Sequence, residues 1–151
     1  MQKYFAYGSN MSSTQLKERC PSVRFVCAAE LREFRLGFTR FSERRSGGVA
    51  DIVAAIGATV WGAVFELEVA DMHELDRFEG ARMSPPAYRR RDVKVWTLDG
   101  MELDAVTYEV VAKTPVDLSP TGEYHGLIIQ GAEHWGLPLE YCEKLRRIEV
   151  K

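Results

Sequence analysis

Cysteine is scarce and unpaired in this sequence. Cys20, Cys27 and Cys142 are odd in number and show no CxxC spacing, which argues against a disulfide framework and against a structural zinc site. An excess of one charge is missing too. The formal net charge is −2, so no electrostatic reason points to nucleic acid or an anionic membrane as partner. The one basic cluster, Arg89-Arg90-Arg91, is short enough to be a solvated strand end. Long apolar runs are absent. The longest uncharged stretch, Ile52 to Phe65, falls short of the roughly 20 residues a membrane span needs, and its glycines and β-branched residues suit buried strands. The N-terminal residues offer one lysine and a four-residue apolar stretch before glycine, which is no signal peptide. Repeats, low-complexity tracts and long linkers are lacking as well. What these absences leave is a soluble, cytoplasmic protein, read as a single domain over 1–151 and long enough to bury a real core.

Strands are expected at 3–7, 22–29, 32–40, 49–55, 59–68, 88–97 and 103–112, each rich in Val, Ile, Phe, Tyr or Trp and bounded by turn residues. Asp99-Gly100 predicts a hairpin with a two-residue turn. Helices are expected at 12–20, 71–80, 122–135 and 138–147. Without βαβ alternation, the pattern predicts an α+β fold around a curved or closed sheet over a doubly wound one.

Two stretches are informative about chemistry. The first is YFAYGSNM, Tyr4 to Met11, an apolar start that breaks at Gly8-Ser9-Asn10 and runs into a helix. Ser12 and Gln15 form a capping-box pattern, Met11 is placed to staple onto Leu16, and Pro21 marks the end. A tight strand-to-helix turn with glycine in it lets a group approach the backbone, and its N–H groups can hold an anion or a developing oxyanion. The same turn can equally be a plain connection whose Ser and Asn satisfy local hydrogen bonds. Ser9 as a nucleophile would need a base, and no pattern ties His73, His125 or His134 to it.

The second stretch is ADMHELDRFEGA, 70–81. Asp71 and Glu74 read as a capping box and Gly80 as the helix stop, with Met72, Leu75 and Phe78 on one apolar arc. Glu79 falls inside that arc. Burial and its place in the last turn of a helix both raise the pKa of a carboxylate, the direction that suits a general base near neutral pH. A buried ion pair with Arg40 or Arg89, or a side chain snorkelling to water, is the structural alternative. The tyrosines Tyr88, Tyr108 and Tyr124 offer hydroxyls, each equally readable as core packing with the hydroxyl at the rim. No His or carboxylate pair shows metal-ligand spacing, and no cofactor motif appears.

With these residues in view, the sequence resembles γ-glutamylcyclotransferase of the animal type. The resemblance runs through YFAYGSN at 4–10, GGVADI at 47–52, VWGAVFEL at 60–67, LDRFEG at 75–80 and GLPLEYCEKLRRIE at 136–149. It implies a small mixed β-barrel flanked by helices, with an active site where the first turn meets the Glu-bearing helix. Family members cyclise a γ-glutamyl group to 5-oxoproline and release the attached amino acid or amine. The resemblance places Glu79 on the catalytic glutamate, Tyr4, Phe5, Ala6, Tyr7, Gly8 and Ser9 on the substrate-binding loop, and Tyr124 on a substrate-contacting tyrosine. Asn10, Tyr88 and Tyr108 are further pocket candidates. It implies Glu79 as proton carrier, the Tyr7-Gly8-Ser9 turn as oxyanion site, no metal and no cofactor, a small-molecule γ-glutamyl substrate and a homodimer. The loop ARMSPPAY after Gly80 reads as longer than in the animal members, which leaves the leaving group open. Two alternatives stand beside this reading: a non-catalytic small-molecule binding or interaction protein on the same fold, and a hydrolase using Cys20, Cys27 or Ser9.

Overall fold

The computed structural model describes residues 1–151 and shows why the opening strand is short. The chain runs β1 (Gln2–Ala6), a 3-10 turn (Ser9–Met11), α1 (Ser13–Arg19), β2 (Arg24–Ser42), β3 (Gly47–Leu67), α2 (Val69–Phe78), β4 (Tyr88–Thr97), β5 (Glu102–Val110), α3 (Gly122–His134) and α4 (Leu139–Arg146). The five strands close into a barrel in the order β1-β3-β2-β4-β5. β1 lies antiparallel to β3, from Gln2↔Leu67 to Ala6↔Ala63, and parallel to β5 at Tyr4↔Val106. Five residues are enough to fill that seam. The fold is therefore α+β, a small barrel with flanking helices, as the family resemblance implies.

Four expected strands are in fact two. The segments 22–29 and 32–40 belong to one strand, β2, and 49–55 and 59–68 to another, β3. The expected break at 56–58 marks a bulge instead of a turn, and Glu30 and Leu31 pair without interruption. Pairing shifts between Arg32↔Thr59 and Phe34↔Ala54, where Glu33 takes a φ of 67° and Ile56 and Gly57 protrude. Bulges of this kind bend and coil a long hairpin, and a sheet needs that to close on itself.

The hairpin around Asp99-Gly100 exists, with a different turn. Thr97 donates its N–H to Met101 O and Gly100 donates to Thr97 O, so three residues cap the strands. Only Gly100 has a positive φ, 85°, which matches a three-residue loop ending in a left-handed glycine.

Phe5, Phe65, Ile52, Val60, Val64 and Leu67 of the strands are buried in one core together with Met72 and Leu75 of α2 and Ile128 of α3. Each such side chain contributes on the order of 1.5–3 kcal/mol by leaving water. Phe78 is a correction: it is 38 % exposed, at the edge of a cleft beyond the core. Asp71 is another. The helix starts two residues before it, at Val69, and the Asp71 carboxylate accepts from Ser22 N and from the Ser22 hydroxyl in place of capping. The Arg89-Arg90-Arg91 run is fully engaged, Arg89 and Arg91 with Glu109 and Arg90 with Asp76. No helix is long and apolar enough to cross a membrane.

Candidate active site

A single cleft opens where β1 ends. It holds about 210 Å³. Tyr4, Tyr7, Gly8, Ser9 and Asn10 supply one wall, Glu79 and Gly80 another. Tyr88, Tyr108 and Tyr124 complete it. Phe5 and Ala6 do not reach it: both are fully buried in the core, with the Phe5 carbonyl accepting from Thr107 Oγ1 at 2.7 Å. Phe5 points to the opposite face of β1 from Tyr4, and Tyr7 reaches the cleft from beyond the end of the strand.

The strand-to-helix turn is compact. Met11 N donates to Gly8 O and Ser12 N to Ser9 O, and Ser12 Oγ accepts from Gln15 N. The Gln15 side chain does not return to the cap as a capping box requires. It donates to Ser9 Oγ at 3.0 Å and to Asn10 Oδ1 at 2.9 Å. The amides of Tyr7 and Gly8 donate to no acceptor in the protein, which leaves two N–H groups beside the cleft. A Cβ on Gly8 would sit 3.1 Å from Ala50 Cβ and 3.6 Å from the Tyr124 hydroxyl, so the turn packs closely on β3 and α3.

Glu79 is the C-cap of α2, followed by Gly80 at φ 67°. Ala81 N donates to Asp76 O and Gly80 N to Arg77 O, the pairing of a Schellman motif, which aims the glutamate side chain away from the helix and into the cleft. Oε1 accepts from Asn10 Nδ2 at 2.9 Å; Oε2 has no partner in the protein. No cation pairs with it. Arg89 is held by Glu109, and Arg40 lines the cleft without touching the carboxylate. Burial raises the Glu79 pKa to about 7, against the opposing pull of Arg19, the Asn10 hydrogen bond and Arg45. A carboxylate at that value takes and returns protons near neutrality.

The hydroxyls differ in what they can offer. Tyr7 donates to Tyr108 O at 2.5 Å, Tyr88 to Ala50 O at 2.6 Å and Tyr108 to Asp76 Oδ1 at 2.5 Å, so their hydrogens are committed. Tyr4 accepts from Asn10 and Tyr124 accepts from Ala50 N at 3.0 Å, which leaves both free to donate. Burial raises the pKa of each, so all five are neutral phenols. Ala50 thus holds two tyrosines at once, through its carbonyl and its N–H. Its neighbour Asp51, fully buried, is fixed by Thr39, Val110 N and Lys113.

The cysteines lie elsewhere. None lines the cleft, and burial pushes the Cys20 thiol up to about 12. His125 is bonded to Leu145 O, His134 packs on Trp135, and no histidine lines the cleft beside Ser9. No group of three His, Cys, Asp or Glu side chains is placed to hold a metal ion.

Sequence reasoning missed Arg19, Arg44 and Arg45 of the cleft and named Arg40 only as an ion-pair partner for Glu79. The one basic run it singled out is paired on the far strands. Arg44-Arg45 in a glycine-bounded turn was the available signal.

Residues 59–145 match the AIG2-like family. Over 150 residues the chain is 38% identical to the γ-glutamylcyclotransferase of Mus musculus, covering 97% of this chain and 78% of that protein. The γ-glutamylcyclotransferase of Homo sapiens is 37% identical over the same shares. A solved γ-glutamyl cyclotransferase structure superposes with a TM-score of 0.93 at 35% identity, covering 99% of this chain and 89% of that one.

Proposed function

This chain belongs to the γ-glutamylcyclotransferase family, and we propose that it performs the family's reaction with Glu79 as proton carrier and the Tyr7-Gly8-Ser9 turn as oxyanion site. The substrate is a small molecule bearing a γ-glutamyl group. Its α-amino group attacks its own γ-carbonyl, a five-membered ring closure that is entropically easy once the chain is folded back.

At neutral pH that amine is an ammonium and cannot attack. Glu79 Oε2, free of protein partners, takes a proton from it. The nitrogen adds to the carbonyl carbon, and the oxygen becomes an oxyanion facing the unpaired amides of Tyr7 and Gly8. Collapse breaks the bond to the leaving nitrogen, which receives the proton from Glu79; the ring nitrogen then gives its surplus proton through the same carboxylate to the departing amine, which leaves as an ammonium. The products are 5-oxoproline and an amino acid or amine. Tyr124 has a hydroxyl hydrogen to donate to the substrate, whereas Tyr88 can only accept, which suits an ammonium.

The observation that carries this reading is the Glu79 carboxylate: cleft-facing, without a cationic partner, and raised to about 7 by burial. The test is release of 5-oxoproline from γ-glutamyl-alanine, γ-glutamyl-ε-lysine and glutathione, with Glu79→Gln alongside. Glu79→Gln lowers the rate by about 10²- to 10⁴-fold. Equal rates in the folded variant and the parent would remove Glu79 from the mechanism. The same family reading supports one domain over 1–151 and a cytoplasmic homodimer that needs neither metal nor cofactor. Sedimentation, and activity after chelation, test the last two points.

A further inference from the structure

Eight of the chain's fourteen arginines pair with a carboxylate. Of the six that do not, four line the cleft: Arg19, Arg40, Arg44 and Arg45. Arg19 donates to Asn10 Oδ1 at 2.8 Å and Arg45 to Gln15 Oε1 at 2.7 Å, both neutral acceptors that orient the guanidinium and leave its charge unbalanced. The side chains of Arg40, half-buried on β2, and Arg44, exposed in the β2–β3 turn, have no hydrogen-bond or ion-pair partner. Glu79 is the only carboxylate in the lining.

The charges therefore do not balance with the expected head group in place. A γ-glutamyl group carries one ammonium and one carboxylate and adds nothing to the sum, and moving its proton to Glu79 changes nothing either. Four cations against one carboxylate leave an excess of three. A neutral leaving amino acid brings one carboxylate; an acidic one brings two. Partly buried cations without partners are costly, and planar guanidinium groups match carboxylates two bonds at a time.

We propose that this cleft selects γ-glutamyl substrates whose leaving amino acid is itself acidic, with Arg40 and Arg44 receiving the additional carboxylate. The inference rests on the cyclotransferase reading and names the substrate class within it. Arg19 and Arg45 are already held by Asn10 and Gln15, whereas the guanidinium groups of Arg40 and Arg44 line the cleft with no partner and are open to a second carboxylate.

The test compares kcat/KM for γ-glutamyl-glutamate and γ-glutamyl-glutamine, which match in size and differ by one charge. The parent protein favours γ-glutamyl-glutamate by about 10- to 100-fold, the range of a charge-assisted pair. Arg40→Gln brings that ratio to within about threefold, and Arg40→Lys, which keeps the charge and loses the fork, restores part of it. The parent ratio needs no variant, and Arg44→Gln serves as the second probe if Arg40→Gln does not fold. Equal turnover of the two substrates, or preference for glutamine, overturns the inference and leaves the cyclotransferase reading intact. So does a preference for glutamate that survives both arginine substitutions. No 5-oxoproline from either substrate overturns the reading itself, and the inference with it.

Discussion

Asn10 and Glu79 are joined across 69 positions of sequence by a hydrogen bond of 2.9 Å from Nδ2 to Oε1. The second Nδ2 hydrogen goes to the Tyr4 hydroxyl at 3.0 Å, and Oδ1 accepts from both Gln15 and Arg19. Every polar valence of the amide is used, and the arginine fixes which end is oxygen. The asparagine of the first turn therefore holds the carboxylate of the second helix.

Loss of that bond shows in the pH profile. Glu79 must be ionised to act as base, so kcat/KM rises with pH through an ascending limb near 7. The Asn10 bond favours the ionised form. Asn10→Ala moves the limb upward and cuts kcat/KM at pH 7 by about tenfold, the worth of a hydrogen bond to a charged group. A limb that stays in place would show that Asn10 does not tune the base.

Stability carries the opposite sign. The folded pKa of Glu79 lies above its ordinary value of 4.5, so between about 4.5 and 7 the folded state binds more protons than the unfolded one. Stability is then greatest below 4.5 and falls as pH rises through 7. Glu79→Gln lacks this dependence. Its melting temperature is expected to match the parent at pH 4.5 and to exceed it at pH 8, which thermal unfolding at the two values checks.

Tyr124 supports the backbone beneath the cleft as well as facing it. Tyr124→Phe leaves the buried Ala50 N–H without an acceptor, at a cost of about 1–3 kcal/mol. Denaturant midpoints are expected to fall accordingly, and KM to rise with them. A variant with unchanged midpoint and raised KM would confine Tyr124 to substrate contact.

Gly131 in α3 lies against the first turn. A Cβ there would stand 2.6 Å from the Met11 carbonyl oxygen, which also accepts from Trp135 Nε1 at 2.8 Å. Gly131→Ala is expected to cost about 1–3 kcal/mol despite the better helix propensity of alanine, because backbone must move. Calorimetry measures the loss; a stabilised variant would contradict the close packing.

The parts of this molecule legible in the sequence are those decided by neighbours along the chain. The turn at Gly8-Ser9-Asn10 and the helix after it follow from capping and chain-breaking residues, and Glu79 stood out because its helix made a carboxylate anomalous. What depended on distant partners was not legible. The merger of four strands into β2 and β3 is decided by bulges that pairing alone reveals. Phe78 fitted an apolar arc by angle, yet it sits under Arg19 and Arg77, whose guanidinium carbons lie 4.8 and 5.0 Å from its ring centroid. The cleft arginines come from three places in the chain, α1, β2 and the β2–β3 turn, and no local pattern unites them.

The parallel contact of β1 with β5 gives folding a built-in reporter. Tyr4↔Val106 joins segments about a hundred residues apart, and the cleft turn leaves the barrel directly after β1. Contacts of such separation carry a large loop-closure cost. Until that seam zips, Asn10 has no fixed place from which to reach Glu79. Refolding chains therefore gain secondary structure before they gain turnover, and the first 5-oxoproline released times the closure of the barrel.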